Sequence, residues 1–105
     1  MVRKQSAIEL VRQFAEDVKR QGVDLRQVFI FGSYAHGTPS EWSDIDVALV
    51  ADDFVGVSFE DIKKFIDVTI KQAYFPLELH TFQTDDFVKS NPFASEIIRT
   101  GIRIA

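Results

Sequence analysis

"FIFGSYAHGTPSEWSDIDVALV", residues 29–50, joins two apolar runs through a Gly-Ser turn, and the second run opens on two aspartates flanking one isoleucine. "QVFIFG" (27–32) is short and almost wholly apolar, the pattern of a strand covered on both faces, and Gly32 ends it. "DIDVALV" (44–50) reads as a second strand, with Ile45, Val47 and Leu49 on one face and Asp44, Asp46, Ala48 and Val50 on the other. Only its beginning is polar. Side chains at i and i+2 of a strand share a face, so two carboxylates stand close together at the mouth of a core strand. Their repulsion is relieved by a bound cation or by protonation of one of them.

Outward from these strands, Ser6 to about Arg20 reads as a helix with Ile8, Val11, Ala15 and Val18 at helical spacing, a Ser6–Glu9 capping box and Gly22 as its stop. From Ser58 a second helix is expected, with Ser58 and Asp61 as capping box and Phe59, Ile62, Phe65, Ile66, Ile70 and Ala73 along one stripe. "PLELHTF" (76–82) alternates as a third strand, Asn91-Pro92 caps a helix over "PFASEIIRT" that Gly101 ends, and "IRIA" adds an edge strand. The order implies an α/β sandwich: a small mixed β-sheet with helices packed mainly on one face.

Composition bounds the function. The chain has 105 residues, 46% of them hydrophobic, which suits one domain with one core, residues 1–105. A net charge of −4 argues against nucleic acid as the main partner. No cysteine is present, so a disulfide framework or thiolate metal site is excluded. With no signal-like N-terminus and no run near ~20 apolar residues, the chain reads as soluble and cytoplasmic, without a membrane segment.

The carboxylate pair gains meaning from Gly32-Ser33. Glycine allows a sharp turn and close approach to a ligand, and Ser33 offers a hydroxyl beside the exposed N–H groups of a short helix start, which together make a phosphate cradle. Magnesium prefers hard oxygen ligands and is often held by one or two carboxylates together with substrate phosphates. A phosphate turn after one strand and a metal pair opening the next, with the ten residues 34–43 between Ser33 and Asp44, point to a nucleotide.

"GSYAHGTPSEWSDID" resembles the Gly-Ser, ten residues, Asp-x-Asp signature of the nucleotidyltransferase superfamily with the DNA polymerase beta type of palm. It is most similar to the minimal nucleotidyltransferase (MNT) domains, many of them antitoxins of HEPN/MNT toxin–antitoxin pairs. The resemblance covers roughly Val28 to Phe87 and extends in general shape to Gly101. It implies that Gly32 and Ser33 bind the triphosphate and that Asp44 and Asp46 hold Mg2+. It also implies a third carboxylate on the next strand, for which Glu78, the one acid inside "PLELHTF", is the candidate as metal ligand or activator of the acceptor. The implied activity is transfer of AMP from ATP, or of another nucleotide from its triphosphate, to a hydroxyl, with a tyrosine of a HEPN-type partner as acceptor. The alternatives are a contact-only antitoxin module and a nucleotide-sensing regulator on the same fold. The oligomeric state is left open.

Several side chains depart from that pattern or carry a plainer reading. Relatives often place arginine in the turn where this chain has Tyr34 and His36. His80 shares the Glu78 face and reads as a hydrogen-bonded structural histidine. Trp42 packs the loop onto the sheet or stacks on a base. Asp85 and Asp86 read as a helix start. "ADDFVGVSF" (51–59) places Phe54, Val55 and Val57 on a connection, as a lid, a protein contact or a tuck into the core.

Overall fold

The computed structural model describes residues 4–35 and 44–105. The two apolar runs become adjacent antiparallel strands, β1 (Leu25–Phe31) and β2 (Ile45–Ala51), with Ile30 opposite Val47 and Phe31 opposite Asp46. β3 (Leu77–Gln83) lies parallel to β2, and β4 (Ile102–Arg103) pairs antiparallel with β1, giving the order β3-β2-β1-β4. The sheet is therefore mixed, and the parallel β2–β3 pair requires the long crossover that residues 52–76 supply. Every residue of β2 except Asp46 is buried, as its near-continuous apolar run demands of a strand covered on both faces.

Helix α1 (Lys4–Arg20) lays Ala7, Val11, Phe14, Ala15 and Val18 against Val28, Ile30, Val47 and Leu49. The opposite face packs Phe29, Ala48, Val50 and Phe82 against Phe87 and against Ala94 and Ile97 of α4 (Pro92–Thr100). The crossover joins α1, so most helical structure covers one face and α4 alone the other. Asn91 Oδ1 accepts from the N–H groups of Phe93 (3.0 Å) and Ala94 (3.2 Å), and Pro92 follows as the first helical residue, as its sequence signature requires. Arg26 donates to Asp52 across the β1–β2 pair at 3.1 and 2.7 Å. The guanidinium holds the Asp52 carboxyl below the usual carboxylate range, so this tie is present at neutral pH and lost as strong acid protonates it.

Two local expectations are corrected. Helix α1 already includes Lys4, so Ser6 lies inside it rather than at a capping box, although Gly22, at φ +94°, does end the turn after it. The helix expected from Ser58 is broken into α2 (Ser58–Ile62), a 3-10 turn at Lys63–Phe65, α3 (Ile66–Thr69) and a second 3-10 turn at Gln72–Tyr74. Ser58 and Asp61 make no capping box: Val57 is the N-cap and its apolar side chain can accept no bond, while Ser58 Oγ accepts from Thr81 N–H at 3.1 Å.

The reason for the break is tertiary. Nine residues of straight helix set two side chains roughly 180° apart, so Phe65 and Tyr74 would face opposite ways. With the chain interrupted at Phe65, both reach one core, Phe65 between Phe14 (6.2 Å) and Phe54 (6.0 Å) and Tyr74 against Phe14 (5.0 Å). The Tyr74 hydroxyl donates to the buried Asp17 carboxylate of α1, which also accepts from Arg20. Burial pushes the Tyr74 hydroxyl up, so it stays protonated and remains a donor. Phe59, Ile66 and Ile70, expected along the buried stripe, are left exposed instead.

Candidate active site

Where β1 ends, Gly32 turns the chain with φ +73°, a conformation that side-chain-bearing residues rarely adopt. A second constraint is steric. A Cβ at this position would lie 2.4 Å from Asp46 Oδ2 and 3.4 Å from its Cγ, so the Gly-Ser turn passes directly over the first acid of β2. Ser33 stands half-buried beside it. Tyr34 anchors the turn from the other side, its ring 1% exposed in the core shared with α1. His36 and Trp42 lie outside the described residues.

The β2 end is pinned to β3 by Ile45 N–H, which donates to the Pro76 carbonyl at 2.8 Å. This parallel register sets Asp46 beside Glu78 and Ala48 beside His80, all four on one face of the sheet. His80 Nε2 lies 3.5 Å from Asp46 Oδ1 and 3.9 Å from Glu78 Oε1. One ligand atom from each of the three residues falls within 4.8 Å of the other two. Asp44 precedes the strand by one residue, exposed and outside that group. Asp85 and Asp86 are exposed in a 3-10 turn capped by the Gln83 side chain, whose Oε1 accepts from Asp85 N–H at 2.6 Å.

His80 differs from the expectation of a hydrogen-bonded structural residue. Its Nε2 is shut off from solvent and has no hydrogen-bond partner among the described residues. The ring is wedged edge-on between Phe31 (5.1 Å) and Phe93 (6.0 Å), which fixes where that nitrogen points. The only sequence signal was its two-residue spacing from Glu78; its other neighbour, Asp46, is supplied by strand pairing.

Two cavities flank the group. One of about 290 Å³ borders His80, Phe82, Asn91 and Phe93, and another of about 130 Å³ borders Gly32, Phe31, Phe93 and Thr100. A groove of about 350 Å³ along α1, between Glu9, Arg12, Glu16 and Arg20, is a trough among surface charges with no such group in it. The Asp46–Glu78–His80 donor set suits a divalent cation: two hard carboxylates, and a buried imidazole nitrogen that nothing else occupies.

Gly22 and Gly32 provide a matched pair of substitutions. Both have positive φ, but a Cβ at Gly22 meets nothing within 4 Å. Gly22→Ala is expected to lose only about 1 kcal/mol, the cost of the backbone conformation. Gly32→Ala loses more, because the methyl group must displace the Asp46 carboxylate. Thermal denaturation of both variants checks this, and equal losses would show that the Gly32–Asp46 contact carries no weight.

The chain belongs to the nucleotidyltransferase domain family, which matches it over residues 11–103. Solved structures agree in fold. A protein of Sulfolobus solfataricus classed provisionally as a nucleotidyltransferase superposes with a TM-score of 0.66 at 18% identity, over 95% of this chain and 80% of its own. A chain from a crystal structure of a toxin–antitoxin with AMP-PNP gives 0.56 at 20% identity, over 90% of this chain and 72% of its own. No curated protein matches the chain. Among the described residues, no helix is long and apolar enough to cross a membrane.

Proposed function

We propose that this chain is a metal-dependent nucleotidyltransferase that transfers AMP from ATP to a hydroxyl group of a protein partner. The observation that carries this reading is the close approach of Gly32 to Asp46, which brings the Gly-Ser turn beside a carboxylate aligned with Glu78. Gly32 and Ser33 hold the triphosphate through backbone N–H groups and the serine hydroxyl. Asp44, Asp46 and Glu78 hold the cation, such as Mg2+, which when bound offsets the phosphate charge and aligns the reacting oxygens. The acceptor oxygen attacks the α-phosphorus, the bond to the α,β-bridging oxygen breaks, and pyrophosphate leaves. Glu78, with 56% of its side chain exposed against 27% for Asp46, is the carboxylate open to an incoming hydroxyl and takes its proton.

The toxin–antitoxin neighbour with AMP-PNP supports a protein acceptor, for which a tyrosine of a HEPN-type toxin is the candidate. Val55, Val57 and Phe59, exposed along the connection after β2, add an apolar surface of the kind that protein contacts use. Contact-only neutralisation would need no third carboxylate, and Glu78 beside Asp46 favours catalysis over that reading.

Melting curves with ATP, magnesium and both together test the proposal. A ligand at a hundredfold excess over Kd adds ~2.7 kcal/mol to stability. The full shift is expected only with both present, and it shrinks in Ser33→Val. Mass spectrometry of a partner after incubation then seeks the mass of one AMP residue. A full shift with ATP and chelator, or an undiminished shift in Ser33→Val, would contradict the site.

A further inference from the structure

We propose that His80 Nε2 is itself a ligand of the divalent ion, so that the site prefers manganese-class cations (Mn2+, Co2+) over Mg2+. This rests on the reading that Asp46 and Glu78 hold a cation and goes beyond it by adding a nitrogen donor to an oxygen site. The spacing fits. Ligands about 2.0–2.2 Å from one ion and 90–110° apart lie roughly 3–3.6 Å from each other. Asp46 Oδ1 and His80 Nε2 are 3.5 Å apart without a hydrogen bond, within that range, while Glu78 Oε1, 3.9 Å from the same nitrogen on a side chain 56% exposed, has to move in by a few tenths of an ångström.

Orientation supports the same conclusion. A buried imidazole nitrogen without a partner forgoes a hydrogen bond that rotating the ring toward solvent would otherwise restore. Phe31 at 5.1 Å and Phe93 at 6.0 Å pack edge-on against the ring and oppose that rotation, and Phe93 is itself packed against Phe82 at 5.5 Å. The aromatic frame thus presents Nε2 to the carboxylates in advance of any ion, as preorganised metal ligands require. Selectivity follows from the donor set: Mg2+ prefers hard oxygen ligands and near-ideal octahedral geometry, whereas first-row transition ions accept an imidazole nitrogen beside carboxylates, Mn2+ with the lowest affinity of that row and Co2+ with more.

Mn2+ and Mg2+ binding to the intact chain is measured by calorimetry in the presence of a non-hydrolysable ATP analogue, and the nitrogen ligand of bound Mn2+ by pulsed electron paramagnetic resonance. The chain has two histidines, so His36→Asn serves as the control. The wild type is expected to bind Mn2+ at least about tenfold more tightly than Mg2+ and to show nitrogen coupling. His80→Phe, which keeps the aromatic packing, loses the coupling and most of the preference. His80→Gln, with a smaller change in polarity, gives a second variant should the first not fold. Coupling that survives in both His80 variants, or that disappears in His36→Asn, overturns the inference, as does an unchanged Mn2+/Mg2+ ratio. Wild type that binds neither ion, or Asp46→Asn that binds both as wild type does, overturns the underlying metal reading and this inference with it.

Discussion

Asp46→Asn is expected to lower nucleotidyl transfer by about 10²–10³-fold or more while leaving the fold intact. Asp46 is the one residue that all parts of the site share. Its Oδ2 lies under the Gly32 turn, its Oδ1 faces His80, and its backbone is in register with Glu78. Asparagine keeps the shape and loses the charge, so cation and phosphate placement suffer together. Stability without divalent ions moves the other way or not at all, because the substitution removes a carboxylate within 4.8 Å of Glu78. Activity and melting temperature measured on the same preparation check both halves. Transfer at wild-type rate removes Asp46 from the chemistry, and a marked drop in metal-free melting temperature makes its role structural.

The frame of this site was legible because its signals are local. An unbroken apolar run identifies a strand buried on both faces, a Gly-Ser pair marks the turn, and Asn91-Pro92 states its own cap. Whatever depends on pairing was less visible. Glu78 was found as the only acid in its strand, but its partner Asp46 comes from the parallel register. His80 was read as structural because nothing nearby in sequence shows an unpartnered Nε2. The helix after Ser58 was misjudged for a related reason. Phe59, Ile66 and Ile70 recur at helical spacing, yet Phe65 and Tyr74 are the residues claimed by Phe14 and Asp17 of α1, and tertiary packing overrides periodicity.

Asp61 is the second position where a single substitution has a large expected effect, here on stability. Its side chain is fully buried, and its carboxylate accepts from Val55 N–H at 2.8 Å, Gly56 N–H at 3.0 Å and Thr81 Oγ1 at 2.6 Å. These three bonds fasten the connection after β2 to the outer strand β3, in place of the capping box expected there. Thr81 follows His80 directly, so the clamp also steadies the strand that carries the nitrogen donor. In Asp61→Ala the buried Thr81 hydroxyl and the N–H groups of Val55 and Gly56 all lose their acceptor, and each bond lost was to a charged group. The expected loss is about 3–5 kcal/mol, or on the order of 20 °C in Tm for a chain of this size. Asp53→Ala, at an exposed acid on the same connection, is the control and should stay within about 0.5 kcal/mol. Denaturant and thermal unfolding of the pair decide the matter. Equal stability of the two variants would mean that water replaces the carboxylate at no cost and that the clamp does not hold the connection.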